Sequence, residues 1–361
     1  MKTLDKLTIE AIELLKNLIE TPSFSSEEEE TAALLENWFV RYNIPFQRSV
    51  HNVWAVNKHF NEHKPTLLLN SHHDTVKPNN GYTKNPFKAL VEEGKLYGLG
   101  SNDAGGCLVS LLATFTHFYA QENLAYNLVF VGSAEEESSG ANGLNSMLPI
   151  IPNIDVAIVG EPTLMELAIA EKGLVVFDAV VKGTPSHAAH PNTNNAIYNT
   201  IDVLKWFESY KFKKTSESLG AVKMTVTQIN AGKQHNAVPA EVALVIDVRV
   251  NDQYTNQEIV SILQQEAPCN SILPRSIHLN SSSIPIHHNL VKAGIALGRK
   301  TYGSPTLSDQ SVLSCPSLKL GPGDSKRSHT ADEFIYLHEI EEGIQLYVQL
   351  LNKVLHHETL G

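Results

Sequence analysis

Pro65-Thr66-Leu67-Leu68-Leu69-Asn70-Ser71, followed at once by His72-His73-Asp74, decides the fold class. A short apolar run that ends in polar residues is what a strand buried on both faces requires. Working outward, similar runs stand at 126–132 and Val156–Val159, with a further strand pattern at 52–57. Helical periodicity covers Leu4–Glu20, 26–42 and 108–119. Strands alternating with helices predict an α/β domain: a mixed, mainly parallel sheet flanked by helices. The spacing of Ser26 and Glu29 predicts a capping box at the start of the second helix.

Near residue 174 the texture changes. A strand pattern at 175–182 leads to a helix at 195–210, then two strongly β segments at 221–229 and Glu241–Val250. A helix at Asn256–Glu266 and a last strand near 276–279 follow. This βαββαβ order predicts a compact α+β unit of one sheet and two helices. Helices at 289–300 and 337–356 return to the first texture. The expected organisation is a catalytic domain made of 1–174 and 286–361, with 175–285 inserted as a lid or dimerisation domain.

The chain has 361 residues, 42% hydrophobic and 19% charged, with a net charge of -11. Phosphate backbones would be repelled, which argues against nucleic-acid binding. Three widely spaced cysteines form no CxxC pair and predict reduced thiols in a cytoplasmic protein. No apolar run approaches bilayer length, which excludes a membrane role.

Several acids and histidines stand where an apolar run meets a Gly- or Ser-rich loop: His72, Asp103, Glu136, Glu137, Glu161 and His329. Three of these segments have a plainer reading. His72 to Asp74 is also a strand-end turn, Asp103 also a helix N-cap, and Glu135-Glu136-Glu137 also a solvated acidic turn. Together they make a metal site, because ligands gather beyond the carboxyl ends of parallel strands. Asp74, two residues on from His72 along an extended segment, faces the same way and orients the imidazole. Two Zn²⁺ carry four positive charges; three carboxylates and one hydroxide balance them, which eases burial. Four glycines within 98–106 imply a tight backbone around Asp103.

These segments together resemble the zinc-dependent M20 family of aminoacylases, carboxypeptidases and deacylases. His72-His73-Asp74, the Gly100-Ser101-Asn102-Asp103 run, Glu136-Glu137, Gly160-Glu161-Pro162 and His329 are similar to its motifs. The resemblance implies that Asp103 bridges two Zn²⁺ (Co²⁺ or Mn²⁺ also suit such ligands). It places His72 and Glu161 on one ion, Glu137 and His329 on the other, with Glu136 as general base and Asp74 behind His72. It also implies that His187 stabilises the oxyanion, in cis or in trans, and that Arg249 and Asn236 bind substrate. Asp247-Val248-Arg249 equally suits an ion pair on a strand face.

Gly321-Pro322-Gly323-Asp324-Ser325 is similar to the loop of acetylornithine deacetylases and their lysine-biosynthesis relatives. That adds Gly323, Asp324 and Ser325 to the substrate contacts. The expected reaction is N2-acetylornithine to ornithine and acetate, in arginine biosynthesis. The alternatives are N-succinylornithine, N-acetylcitrulline or succinyl-diaminopimelate deacylation, a dipeptidase or aminoacylase, or a non-catalytic amino-acid-binding protein. A homodimer through the inserted domain is expected. The chain departs from many relatives in having Asp103-Ala104-Gly105-Gly106 for Asp-x-Lys-Gly, and His72-His73-Asp74 for His-Thr-Asp.

Overall fold

A computed structural model describes residues 4–356 as a mixed α/β protein in two compact units. The first holds residues up to 169, 283–302 and those from 308 onward; the second holds 170–282 and 303–307.

In the first unit, Thr66–His72 is buried along its whole length. It lies parallel to Asn127–Ser133 on one side and to Val156–Val159 on the other. Ser317–Lys319 continues the parallel order beside Val156–Val159. Asn52–Val56 joins the far side antiparallel to Asn127–Ser133. Leu67, Leu69, Leu128, Phe130 and Ile158 point into one large core with Leu4–Glu20, Gly106–Phe118 and Leu337–Leu355. Leu68, Val129, Val131 and Ala157 point into a smaller core on the opposite face. Burial on both faces explains why these strands are apolar runs and not alternating ones. A separate antiparallel sheet joins Phe334–Tyr336, Lys95–Tyr97 and Leu90–Glu92.

The second unit is a four-stranded antiparallel sheet, ordered Lys223–Ala231, Glu241–Val250, Gly173–Lys182, Ser271–Pro274. Val242, Leu244, Ile246, Val248 and Val250 alternate inward. They meet Val175, Phe177 and Ala179 and the helices Ala196–Ser209 and Asn256–Glu266 in one core. Period-two alternation here, against continuous runs in the first unit, reflects a sheet covered on one face only.

Two expectations are corrected. The second helix starts at Glu29, not Ser26, and no side chain caps it. Ser26 has a left-handed φ of 74°. Its amide donates to the buried Glu28 carboxylate (2.8 Å) and its hydroxyl to Glu135 (3.0 Å). The acidic run thus turns one member inward to hold a distant loop. The last strand of the second unit is Ser271–Pro274, ahead of the expected 276–279. There the alternation of Ser276-Ile277-His278-Leu279 is misleading. The Asn256 side chain takes the carbonyls of Ile277 (3.0 Å) and Leu279 (2.8 Å), which fixes the segment as a loop.

Candidate metal centre

Because three neighbouring strands run parallel, their carboxyl ends come together, each carrying its own acid or imidazole. His72 ends the middle strand. Glu136 and Glu137 follow Asn127–Ser133, and Glu161 follows Val156–Val159. The Ser71 hydroxyl donates to the Gly160 carbonyl (2.8 Å), tying the loop of Glu161 to the strand of His72. Asp103 arrives on the glycine-rich loop ahead of Gly106–Phe118, and its following peptide is cis. That helix has Gly105 at its N-cap, so Asp103 does not cap it. His329 is held in a left-handed turn, φ 58°.

Asp103 stands between two imidazoles. Its Oδ1 is 3.5 Å from His72 Nε2, and its Oδ2 is 3.6 Å from His329 Nε2. Around His72 Nε2 lie Glu161 Oε1 at 3.8 Å and Glu136 Oε2 at 4.0 Å. His329 Nε2 faces the Glu137 carboxylate at 3.0 and 3.2 Å. Two donor groups, His72–Asp103–Glu137 and His72–Glu136–Glu161, each keep their ligand atoms within 4.8 Å of one another. Distance alone therefore does not set Glu136 apart from the ligands.

Asp74 does more than orient His72. The Nδ1 of His72 is nearest the Asp74 carbonyl oxygen (3.0 Å), with the carboxylate at 3.4 Å. That carboxylate accepts the amides of Glu136 (3.0 Å) and Glu137 (3.1 Å) and the hydroxyl of Ser25 (2.7 Å). Glu28 accepts the neighbouring amide of Glu135 at 3.1 Å. The acidic triplet is thus laid out by two buried carboxylates. Glu135 turns away, accepting from Asn142 and Ser26. His73 also faces away, its ring between Thr31 and the His51 carbonyl.

Crowding of acids sets the protonation. Burial, then the charges of Glu161, Asp309 and Glu137, push Glu136 well above the usual carboxylate range against the pull of His72. Burial and Asp103 raise Glu161 to about 8. Burial opposes a charged His72, but Asp103, Asp74, Glu136 and Glu161 together hold its pKa well above the ordinary value. Glu137 raises His329 to about 9. His72 Nε2 is buried and makes no hydrogen bond among the described residues. An orphaned imidazole nitrogen aimed into clustered carboxylates fits a pair of divalent cations, whose charge would let these acids ionise.

Of the remaining expected site residues, three belong to the loop 321–325 and three to the second unit. Asp324 accepts the Lys326 amide, capping the turn Ser325–Arg327, and Gly323 sits against Asn102 with φ 91°. His187, Asn236 and Arg249 belong to the second unit. The guanidinium of Arg249 is forked onto Asp247 at 2.9 and 3.1 Å. His187 and Asn236 are exposed. Two further acids, Asp309 and Glu333, are buried. Asp309 accepts from Ser133 (2.6 Å) and is raised by burial to about 6. Glu333 accepts amides of the Asp103 loop. No local sequence pattern marks either of them.

The model of the Peptidase family M20/M25/M40 matches residues 68–353. An acetylornithine deacetylase of Shigella sonnei (strain Ss046) is 28% identical over 380 residues, spanning 96% of this chain and 97% of that protein. One of Proteus mirabilis (strain HI4320) is also 28% identical, over 94% of this chain and 95% of its own. Among solved structures, the Bacillus subtilis YXEP protein, a dinuclear metal-binding peptidase from the M20 family, superposes with a TM-score of 0.74. It covers 98% of this chain and 99% of its own at 14% identity, which speaks to fold alone.

Proposed function

The chain belongs to the peptidase family M20/M25/M40 and is a hydrolase of that family; from that premise we propose that it hydrolyses the amide of an N-acylated amino acid, N2-acetylornithine giving ornithine and acetate, as a step of arginine biosynthesis in the cytoplasm. The observation that carries this reading is Asp103, with one carboxylate oxygen toward His72 and the other toward His329. A carboxylate shared by two cations would turn its oxygens apart in this way, which supports the reading. We assign His72 and Glu161 to one Zn²⁺ and Glu137 and His329 to the other, with Co²⁺ and Mn²⁺ as metals the same donors accept. Bound ions of this kind acidify water at neutral pH and polarise a carbonyl.

The chain's own groups then handle the proton. Glu136 takes one from the attacking water as oxygen bonds to the acyl carbon. It gives that proton to the amine nitrogen as the C–N bond breaks. Asp74 keeps Glu136 and Glu137 in place through their amides. From the second unit we assign His187 to the developing oxyanion, and Arg249 with Asn236 to the substrate carboxylate. Gly323, Asp324 and Ser325 are assigned to the substrate's amino-acid part. The names of the curated relatives and the Gly321–Ser325 loop support ornithine as that part.

We also assign a homodimer to the second unit. Lys223–Ala231 is an edge strand with no buried position, and the helix Ala196–Ser209 exposes Ile197, Tyr198 and Ile201. Such an apolar edge calls for a partner. The functional test is a turnover panel on zinc-loaded protein: N2-acetylornithine, N-succinylornithine, N-acetylcitrulline, succinyl-diaminopimelate and a dipeptide. Highest kcat/KM for N2-acetylornithine is expected. Preference for any other member overturns the substrate, and no turnover of any overturns the deacylase reading.

A further inference from the structure

We propose that Glu333 is a positioning residue that fixes the Asp103 carboxylate for metal binding by gripping the main chain of its loop. This rests on the reading of Asp103 as a metal ligand.

The sheet register sets up the contact. Phe334–Tyr336 runs antiparallel to Lys95–Tyr97, with Phe334 opposite Tyr97. One residue beyond that pair, the Gly98 amide donates to the Glu333 carbonyl at 3.0 Å. The strand pairing therefore delivers the Glu333 side chain under the segment that leads to Asp103. Its Oε1 accepts the amides of Asn102 (2.8 Å) and Asp103 (2.9 Å), and its Oε2 that of Gly100 (3.2 Å). The remaining amide of this stretch, Ser101, donates to Gly98 (3.1 Å). Four consecutive amides that no helix or strand ladder pairs are thus satisfied, three of them by one carboxylate.

A structural filler does not explain the choice of residue. Glu333 is only 2% exposed, and it holds an acid close to Asp103, in a region already crowded with carboxylates. Burying an acid there is costly, and an amide or hydroxyl acceptor would be cheaper. What the carboxylate adds is two oxygens in one rigid plane, each engaged by the loop. The Asp103 amide is itself one of the three donors, so the grip reaches the residue whose side chain must keep one oxygen toward each imidazole. Groups that hold a metal ligand in this way alter metal affinity when removed.

The test is calorimetric titration of metal-free protein with zinc chloride, for wild type, Glu333→Ala, Glu333→Gln and Ile335→Val. Glu333→Ala removes all three acceptors and is expected to weaken zinc binding about 10–100-fold. Glu333→Gln keeps one carbonyl oxygen for Asn102 and Asp103 but turns an amide against Gly100, so its loss should be intermediate. Ile335, fully buried on the same strand, serves as the control. Its shortening to Val should lower the thermal midpoint while leaving zinc affinity unchanged. If Glu333→Ala does not fold, Glu333→Gln alone decides. A wild type that binds two ions beside Glu333 variants that bind equally tightly overturns this inference by itself. So does an Ile335→Val variant that loses as much affinity. A wild type that binds no zinc overturns the metal centre and this inference with it.

Discussion

Glu136 and Glu137 are neighbours in the chain with different work assigned to them, and the difference comes from what surrounds each. Glu137 meets His329 at 3.0 Å, whereas Glu136 lies beside His72 under mutual repulsion from Glu161 and Asp309. Glu136→Gln should therefore keep the metal content of the wild type while lowering turnover about 10²–10⁴-fold. Elemental analysis and initial rates on one preparation check both halves, and undiminished turnover would reject the assignment. Asp74→Asn tests the scaffold behind these acids. An amide nitrogen in place of one oxygen confronts the N–H of Glu136 or Glu137, so zinc affinity or activity should fall about 10–100-fold. At this scale His72, Glu136, Glu137 and Glu161 were legible because each stands at or just after the end of an apolar run, and Asp103 and His329 because they stand in glycine-rich loops, signals written within a few residues. Glu28, Asp309 and Glu333 were not. Their partners lie 107, 176 and 230 residues away, and no local pattern encodes such meetings.

The strands and loops carry the site because parallel pairing brings successive carboxyl ends to one side. Leu69, fully buried at the centre of Thr66–His72, should cost about 2–5 kcal/mol when cut to Ala, read as a lower midpoint of denaturation. The glycine-rich loop has its own requirement at Gly100. With φ at 74°, a Cβ there would lie 2.6 Å from Thr75 Cγ2. Gly100→Ala should therefore destabilise by about 1–3 kcal/mol through backbone strain, with the contact adding to it. A denaturation midpoint equal to the wild type would show that the loop relaxes freely. Buried runs and amphipathic helices could be read from periodicity, because the solvent boundary imposes it. Element ends could not where a side chain competes with the backbone ladder. Glu28 starts the second helix late, and Asn256 converts 276–279 into a loop.

For the whole molecule, the acidic cluster is tolerable only with cations or protons to neutralise it. Dialysis against a chelator should lower the thermal midpoint, and stoichiometric zinc should restore it, because ligand binding to the folded state alone stabilises it. No helix among the described residues is long and apolar enough to cross a membrane. If Ile197, Tyr198 and Ile201 form a dimer surface, Tyr198→Asp should halve the mass seen by light scattering, and an unchanged mass would move the interface elsewhere. Two kinds of texture along the chain could be read as two units, since one sheet is buried on both faces and the other on one. The most direct test of the central claim is anomalous diffraction at the zinc edge from crystals of the metal-loaded protein. The account predicts two peaks about 3.5–4 Å apart on either side of the Asp103 carboxylate, one beside His72 and Glu161 and the other beside Glu137 and His329. A single peak, or peaks away from Asp103, would contradict it.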